Sequence, residues 1–375
     1  MINLAFTGGS TGGHVFPIRS LIQYIKTHDK INAKFDTIYW FGENHSMEQR
    51  ICSQLSQEYN NIQFATVIAG KVRREYDIIA LAKTARDMLR FIWWIITMVV
   101  RFPSYHVDIV FCKGGFVSLP LTIAAYIWRV PIMVHESDTS AGLATRICGR
   151  LATHNFSAFS WTLPNSQVVW QIMSNDLAVT QAYQYWESSK TNLLLMGWSL
   201  GAMKIYQAIL ELQKLNQYEP SALSLKPLAS YNIIIILGAL NADMKPQYQW
   251  RAHVIDRADQ TTMWQLYAWA DICICRGGTT SLAEMELFGI RKIIVPLPIT
   301  HDQVNNAQYY VDHHGDTMVT QDTQLSQNLN DQLESHIWYH KATVDRTWLS
   351  KKLNHATDTI TQTILQVINH QSPWI

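Results

Sequence analysis

An apolar run, Ile2-Asn3-Leu4-Ala5-Phe6, passes directly into Thr7-Gly8-Gly9-Ser10-Thr11-Gly12-Gly13-His14-Val15-Phe16-Pro17. This junction restricts the fold more than any other stretch of the chain. Four glycines in six residues let the backbone reach positive φ and approach a ligand closely. The segment that follows reads as a helix start, whose free N–H groups favour a negatively charged group. A strand, a glycine loop and a helix at the chain start predict an α/β protein that binds a phosphorylated ligand, with His14 at the mouth of the loop as the first candidate for chemistry. Neither GxxxxGK[ST] nor GxGxxG is present, so the loop is no standard nucleotide fingerprint, and a plain tight βα turn is the competing reading.

The 375 residues are enough for two domains of ordinary size, and 48% hydrophobic content gives them cores to bury. A net charge of +1 argues against a nucleic-acid partner. Cys52, Cys112, Cys148, Cys273 and Cys275 have neither zinc nor CxxC spacing and read as reduced core thiols of a cytosolic protein. Met1 leads straight into the first strand, which reads as the absence of a signal peptide.

No apolar run reaches the roughly 20 residues that span a bilayer. The nearest is Phe91 to Val100, bounded by Arg90 and Arg101. Lys71, Arg73, Arg74, Lys83, Arg86 and Arg90 precede or enter it, and Trp93 and Trp94 lie within it. Basic residues beside aromatics and an apolar stripe describe a helix lying on an anionic membrane surface, although a core helix with a solvated basic side has the same pattern.

Strand-like and helix-like runs alternate, the signature of parallel sheets. Strands are expected near 2–6, 36–41, 63–67, 108–112, 131–135 and 154–157, then near 193–196, 233–237, 272–275 and 292–295. Helices fit 16–27, 46–55, 76–101, 119–128 and 140–150, then 201–214, 262–269, 279–288, 303–314 and 340–368. Segment 158–190 is irregular and polar and reads as an interdomain linker. Two doubly wound Rossmann-like domains facing each other across a cleft are expected: an N-terminal one over 1–160, on which a closing helix at 350–375 packs, and a C-terminal one over 161–349. In such sheets ligands bind at the carboxyl ends of the strands.

Those ends carry the unusual residues. They are Lys113-Gly114-Gly115-Phe116-Val117-Ser118, His135-Glu136-Ser137-Asp138-Thr139-Ser140-Ala141-Gly142, Gly197-Trp198-Ser199-Leu200-Gly201-Ala202, Arg276 to Glu284, and His301 to Ala307. Thr279, Thr280 and Ser281 at a helix start offer the hydroxyls and amides that a diphosphate requires, with simple capping as the alternative. Glu284, one turn on, can take both hydroxyls of a ribose or can be a solvated helix carboxylate. Asp302, Gln303 and Asn306 can bind hydroxyls or an amide, or serve only as loop and cap groups.

In their order and spacing these segments resemble the MurG family of peptidoglycan glycosyltransferases, over about residues 2 to 315 and a closing helix. The resemblance implies a GT-B fold, an inverting transfer without cofactor or metal, and UDP-N-acetylglucosamine as donor. The acceptor it implies is undecaprenyl-diphospho-N-acetylmuramoyl-peptide, lipid I. It places Thr11, Gly12, Gly13, Asp138 and Ser174 near the donor, and Ser199 and the Thr279–Ser281 helix start on the diphosphate, followed by Leu282 and Ala283. Glu284 would hold the ribose, Gln303 and Asn306 the sugar, and Asp256 to Thr262 the uracil. Gly114, Gly115, Phe116 and Glu136 would lie on the acceptor side. The family's membrane-facing patch corresponds to segment 71–101, implying a peripheral protein on the cytoplasmic side of the membrane.

The acceptor hydroxyl needs a general base; His14 is the first choice, with Asp138 or His135 in reserve. Four positions depart from the family pattern: Phe116 replaces a tyrosine, Trp198 a glycine, Ser174 an arginine and Tyr206 an asparagine. Two other readings fit the same residues. One is a UDP-N-acetylglucosamine 2-epimerase or glycolipid synthase on the same fold; the other is a non-catalytic, membrane-bound paralogue.

Overall fold

The computed structural model describes residues 1–9, 11–67, 78–184, 189–197, 202–218, 227–238, 252–298 and 301–370, with 78–88, 178–179, 213–218, 227, 301 and 370 given by backbone alone. The chain divides into two compact units, Met1–Asn175 with Lys351–Ile375, and Asp176–Ser350.

The first unit is built on seven strands: β1 (Ile2–Thr7), β2 (Phe35–Gly42), β3 (Ile62–Thr66), β4 (Ile109–Cys112), β5 (Ile132–Glu136), β6 (His154–Ser157) and β7 (Ser166–Val168). Their order is β3-β2-β1-β4-β5-β6-β7, and every neighbouring pair is parallel. Among the described residues they are accompanied by α1 (Gly12–Thr27), α2 (Asp29–Asn32), α3 (Met47–Glu58), α4 (Ile78–Arg101), α5 (Ser118–Ile127) and α6 (Leu143–Leu151). Alternate residues of β1 serve opposite faces, as the two-residue period of a strand requires. Leu4 and Phe6 join Ile18, Trp40 and Phe111 in one core, while Ala5 joins Phe41, Val110 and Val134 in the other.

The winding reverses between β1 and β4. Loops leaving the carboxyl ends of these adjacent strands diverge there and open a crevice, the usual ligand position in such sheets. The glycine loop after Thr7 and the Lys113-Gly114-Gly115 loop are therefore neighbours, joined at their base by the bond from Lys113 N–H to the Thr7 carbonyl at 2.8 Å.

The second unit repeats the plan with β8 (Thr191–Met196), β9 (Tyr231–Ile236), β10 (Ala252–Ile255), β11 (Ile272–Cys275), β12 (Arg291–Ile294) and β13 (Thr317–Met318), in the order β10-β9-β8-β11-β12-β13, again parallel. Its helices are α7 (Met203–Tyr218), α8 (Gln260–Trp269), α9 (Thr279–Leu287), α10 (His301–His314) and α11 (Leu325–Ser335). The reversal falls between β8 and β11, so the carboxyl ends of these two strands, at Met196 and Cys275, are the neighbours here. The last helix, α12 (Arg346–His370), sends Ala356, Ile360 and Ile364 into the core of the first unit.

The sequence does not announce β7, β10, β13 or α11. β7 is three residues long, half-buried or exposed throughout, and lies inside the stretch read as irregular. β13 is only two residues. Neither is long enough to display a period. All five cysteines are free and buried.

Candidate active site

In the first unit, the backbone at Thr11 is extended and α1 begins at Gly12 without a side-chain cap. The His14 ring turns back over the loop. Its Nδ1 lies 3.0 Å from the Gly9 carbonyl oxygen and 3.5 Å from Thr11 Oγ1. A carbonyl only accepts, so Nδ1 carries the proton and Nε2 of the neutral ring keeps a lone pair. Burial is the main force holding the His14 pKa below its ordinary value. Lys113 adds to it, while the Gly9 bond, Asp138 and Glu48 oppose it. The ring is therefore a neutral imidazole near pH 7, half-buried and with one basic nitrogen uncommitted to that carbonyl.

Gly114 and Gly115 have φ of +100° and +85°, in the left-handed region where glycine is favoured. The His14 ring uses the missing side chain: a Cβ on Gly115 would stand 3.3 Å from Nδ1. Ser118 Oγ donates to the Gly114 carbonyl at 2.7 Å and holds the turn. Phe116 is exposed at its tip.

The loop after β5 is closed by its own acid. Glu136 is buried, and its Oε1 accepts from the Ser137 and Asp138 N–H groups at 2.7 and 3.0 Å. Burial pushes its carboxyl up to about 7, Asp138 adds to the shift and Lys113 opposes it. Gln171 Nε2 donates to the Ser137 carbonyl at 2.7 Å. Asp138 itself is half-buried. His135 is fully buried with Nε2 donating to the Trp170 carbonyl at 2.8 Å, and burial drives its pKa well below the usual range. Of the two histidines, His14 is thus the one with a partly accessible ring.

Lys113 heads one of the loops singled out in the sequence, but no role for it was legible there. It is buried, with Nζ donating to Ser137 Oγ at 2.7 Å, and its charge is felt by His14, His135 and Glu136. Glu48 escaped the sequence reading. It lies in the first turn of α3, buried, where the sequence offers only an ordinary helix carboxylate.

In the second unit, Gly278 precedes α9 without capping it by a side chain, leaving the amides at Thr279, Thr280 and Ser281 as the helix's positive end. Thr279 and Ser281 are buried and Thr280 half-buried. Leu282 and Ala283 are fully buried apolar residues, so they offer a ligand backbone only. Glu284 is half-buried, and burial raises its carboxyl to about 7, with Trp264 and Tyr267 opposing the shift. Gln303 and Asn306 belong to the same locality. Asn306 Nδ2 donates to the Gly277 carbonyl at 3.2 Å, Gln303 Oε1 accepts from Leu297 N–H at 3.1 Å, and a Cβ on Gly277 would collide with the Gln303 carbonyl oxygen. Asp259 caps α8 through the Thr262 N–H at 2.8 Å. Arg276 is buried and spans Val295 and Gln321 at 2.8 and 2.7 Å, so it braces the loop rather than facing a ligand.

Of the departures from the family pattern, Tyr206 is a core residue whose hydroxyl donates to the Ile236 carbonyl. Ser174 is buried in the first unit. Trp198 and Ser199 lie outside the described residues, as do Lys71, Arg73 and Arg74 and the side chains of Lys83 and Arg86.

On α4, Leu89, Trp93, Ile96 and Val100 recur at helical spacing and are each more than half exposed, while Met98 is buried. Tyr126, Ile127 and Trp128 at the end of α5 are exposed as well, and Trp128 Nε1 donates to the Val99 carbonyl at 2.8 Å. No helix among the described residues is long and apolar enough to cross a membrane.

Residues 4–157 match the glycosyltransferase family 28 N-terminal domain, and residues 192–357 match the glycosyltransferase family 28 C-terminal domain. The chain belongs to glycosyltransferase family 28. Among its relatives is the UDP-N-acetylglucosamine--N-acetylmuramyl-(pentapeptide) pyrophosphoryl-undecaprenol N-acetylglucosamine transferase of Vesicomyosocius okutanii subsp. Calyptogena okutanii. It is 28% identical over 84% of this chain and 83% of the relative. The family 28 fold is matched by the crystal structure of Acinetobacter baumannii MurG, with a TM-score of 0.66 at 23% identity over 99% of this chain and 100% of that one. A UDP-GlcNAc 2-epimerase from Neisseria meningitidis, solved with UDP-GlcNAc bound, gives the same TM-score of 0.66 at 14% identity, over 98% of this chain and 100% of that one. The fold therefore does not separate transferase from epimerase, and residues must do so.

Proposed function

We propose that this family 28 chain transfers N-acetylglucosamine from UDP-N-acetylglucosamine to the C4 hydroxyl of lipid I, giving lipid II. The observation that carries the reading is His14: a half-buried imidazole whose proton is fixed on Nδ1 by Gly9, leaving Nε2 to accept another. The names of the relatives supply the substrates.

In the reaction, Nε2 of His14 takes the proton from the acceptor hydroxyl as that oxygen attacks the anomeric carbon of the donor. The carbon–oxygen bond to UDP breaks, its electron pair leaves with the diphosphate, and the configuration inverts. The departing diphosphate gains charge. Amides at the start of α9 and the hydroxyls of Thr279, Thr280 and Ser281 are suited to that charge and are organised before the reaction. Glu284 accepts from the ribose hydroxyls, while Gln303 and Asn306 orient the sugar. Asp138 is the residue that the family resemblance assigns to the sugar in the first unit. Gly114, Gly115 and Phe116 border the acceptor, and Glu136 shapes that side through its turn rather than by contact. No cofactor or metal enters the step.

The exposed stripe of α4, with Arg90 and Arg101 exposed beside it, attaches the protein peripherally to the cytoplasmic face of the membrane, where a lipid-linked acceptor resides. This stripe favours the transferase over the epimerase, whose substrate is water-soluble. Incubation with UDP-N-acetylglucosamine alone separates the two. The transferase leaves the donor intact until a lipid I analogue is added, whereas conversion to the manno epimer would overturn the reading. Calorimetry showing no donor binding would point instead to a non-catalytic paralogue.

A further inference from the structure

Two buried charges flank the turn that carries His14's partner. Glu48 reaches it from α3. Its Oε1 accepts from the Glu43 N–H at 3.2 Å, while Oε2, though buried, has no hydrogen-bond partner among the described residues. Two glycines keep its place open: a Cβ on Gly9 would collide with the carboxylate, and one on Gly42 would press on its Cγ. An underbonded carboxylate in the interior is expensive, and one enclosed by two glycines is not a solvated helix group turned inward by chance. Lys113 reaches the turn from the end of β4. A Cβ on Gly8 would stand 2.9 Å from that of Lys113, and its ammonium lies 2.7 Å from Ser137 Oγ.

We propose that Glu48 and Lys113, packed against Gly9 and Gly8 respectively, are positioning residues for sugar transfer that act through His14. The proposal rests on the reading of His14 as the general base. Neither residue touches the reacting atoms. The charges that act on His14 are Lys113 from β4, Asp138 from the loop after β5 and Glu48 from α3, together with the Gly9 carbonyl. The ammonium disfavours the imidazolium and both carboxylates favour it. A base must be unprotonated at the working pH and still basic enough to take a proton. Burial and Lys113 lower the proton affinity of His14; the bond to the Gly9 carbonyl offsets part of that loss, and Asp138 and then Glu48 add to the offset. Glu48 is also rooted in the loop's own packing, so charge and geometry are set by one side chain.

The test uses the full chain with Glu48→Gln, with Lys113→Met, and with Lys113→Gln as a second neutral form. The His14 ring is titrated by NMR, its signal assigned by loss in His14→Gln. Neutralising Lys113 raises the His14 pKa and neutralising Glu48 lowers it, each by about half a unit or more. The acid limb of kcat/KM, measured with a soluble lipid I analogue, moves the same way in each variant while the KM for donor stays. Lys113→Arg keeps the original titration, and the Glu48→Gln/Lys113→Met pair falls between the single variants. Two neutral variants that leave the titration unmoved, or move it in the same direction, overturn the proposal. If the titrations move oppositely but the unsubstituted chain transfers no sugar, the functional reading fails and the electrostatic coupling stands.

Discussion

Asn306 donates its side-chain amide to the Gly277 carbonyl at 3.2 Å, and so fastens α10 to the loop that leads into α9. The fit leaves no room for a side chain, because a Cβ at Gly277 would strike the backbone oxygen of Gln303, which cannot rotate away. Gly277→Ala is therefore expected to lower stability by about 1–3 kcal/mol and to weaken donor binding by displacing Gln303. Thermal unfolding and calorimetry with UDP-N-acetylglucosamine check both. Unchanged donor affinity would separate α10 from the donor site.

His14→Ala removes the free Nε2 without removing any group assigned to the donor. Turnover is expected to fall by about 100- to 10,000-fold, with the dissociation constant for UDP-N-acetylglucosamine nearly unchanged. Single-turnover transfer and calorimetry give the two numbers. Full turnover in this variant would shift the role of base to Asp138.

With Glu284 on the ribose, as proposed, donor binding is expected to depend on pH. Burial holds its carboxyl at about 7, above the ordinary value. Below that pH it is protonated and loses acceptor capacity; above it, on the proposed assignment, the carboxylate would accept both ribose hydroxyls. Donor affinity is expected to rise between pH 6 and 8. Glu284→Gln should bind about 10- to 100-fold more weakly at pH 8 and show little of this dependence. A wild-type affinity that is flat or falls with pH would contradict the ribose assignment.

Much of this was legible because local signals and fold agree. The run Ile2 to Phe6 followed by paired glycines can be little other than a strand entering a turn, and Gly278-Thr279 marks a helix start by the same logic. The strands at the sheet edges were not legible, since Ser166–Val168 and Thr317–Met318 are too short to show alternation. Charges at the site were the harder part. Glu48 sits in a stretch, Met47-Glu48-Gln49-Arg50, that reads as a solvated helix start. Its burial depends on Gly9 and Gly42, remote in sequence or on another element, and no periodicity reports that. Tyr206 illustrates the converse: measured against the family pattern it is a missing ligand, whereas its hydroxyl is spent on the Ile236 carbonyl inside the core.

The stripe on α4 yields a prediction about location. Trp93 and Ile96 are 66% and 51% exposed and take no part in the buried cores. Replacing both with serine removes apolar contacts worth about 1.5–3 kcal/mol each when buried. Sedimentation with anionic vesicles is expected to fall at least about tenfold, with turnover on a short-chain, water-soluble acceptor retained. Undiminished vesicle binding would place the membrane contact elsewhere.

The central claim is that the chain joins a sugar to a lipid-linked sugar. The direct measurement is transfer from labelled UDP-N-acetylglucosamine to a short-chain lipid I analogue, with UDP release followed in parallel and the product's linkage read by NMR. The account predicts one β-linked disaccharide for each UDP released, and no UDP release without acceptor. Donor consumption without acceptor, or no disaccharide while the donor binds normally, would contradict it.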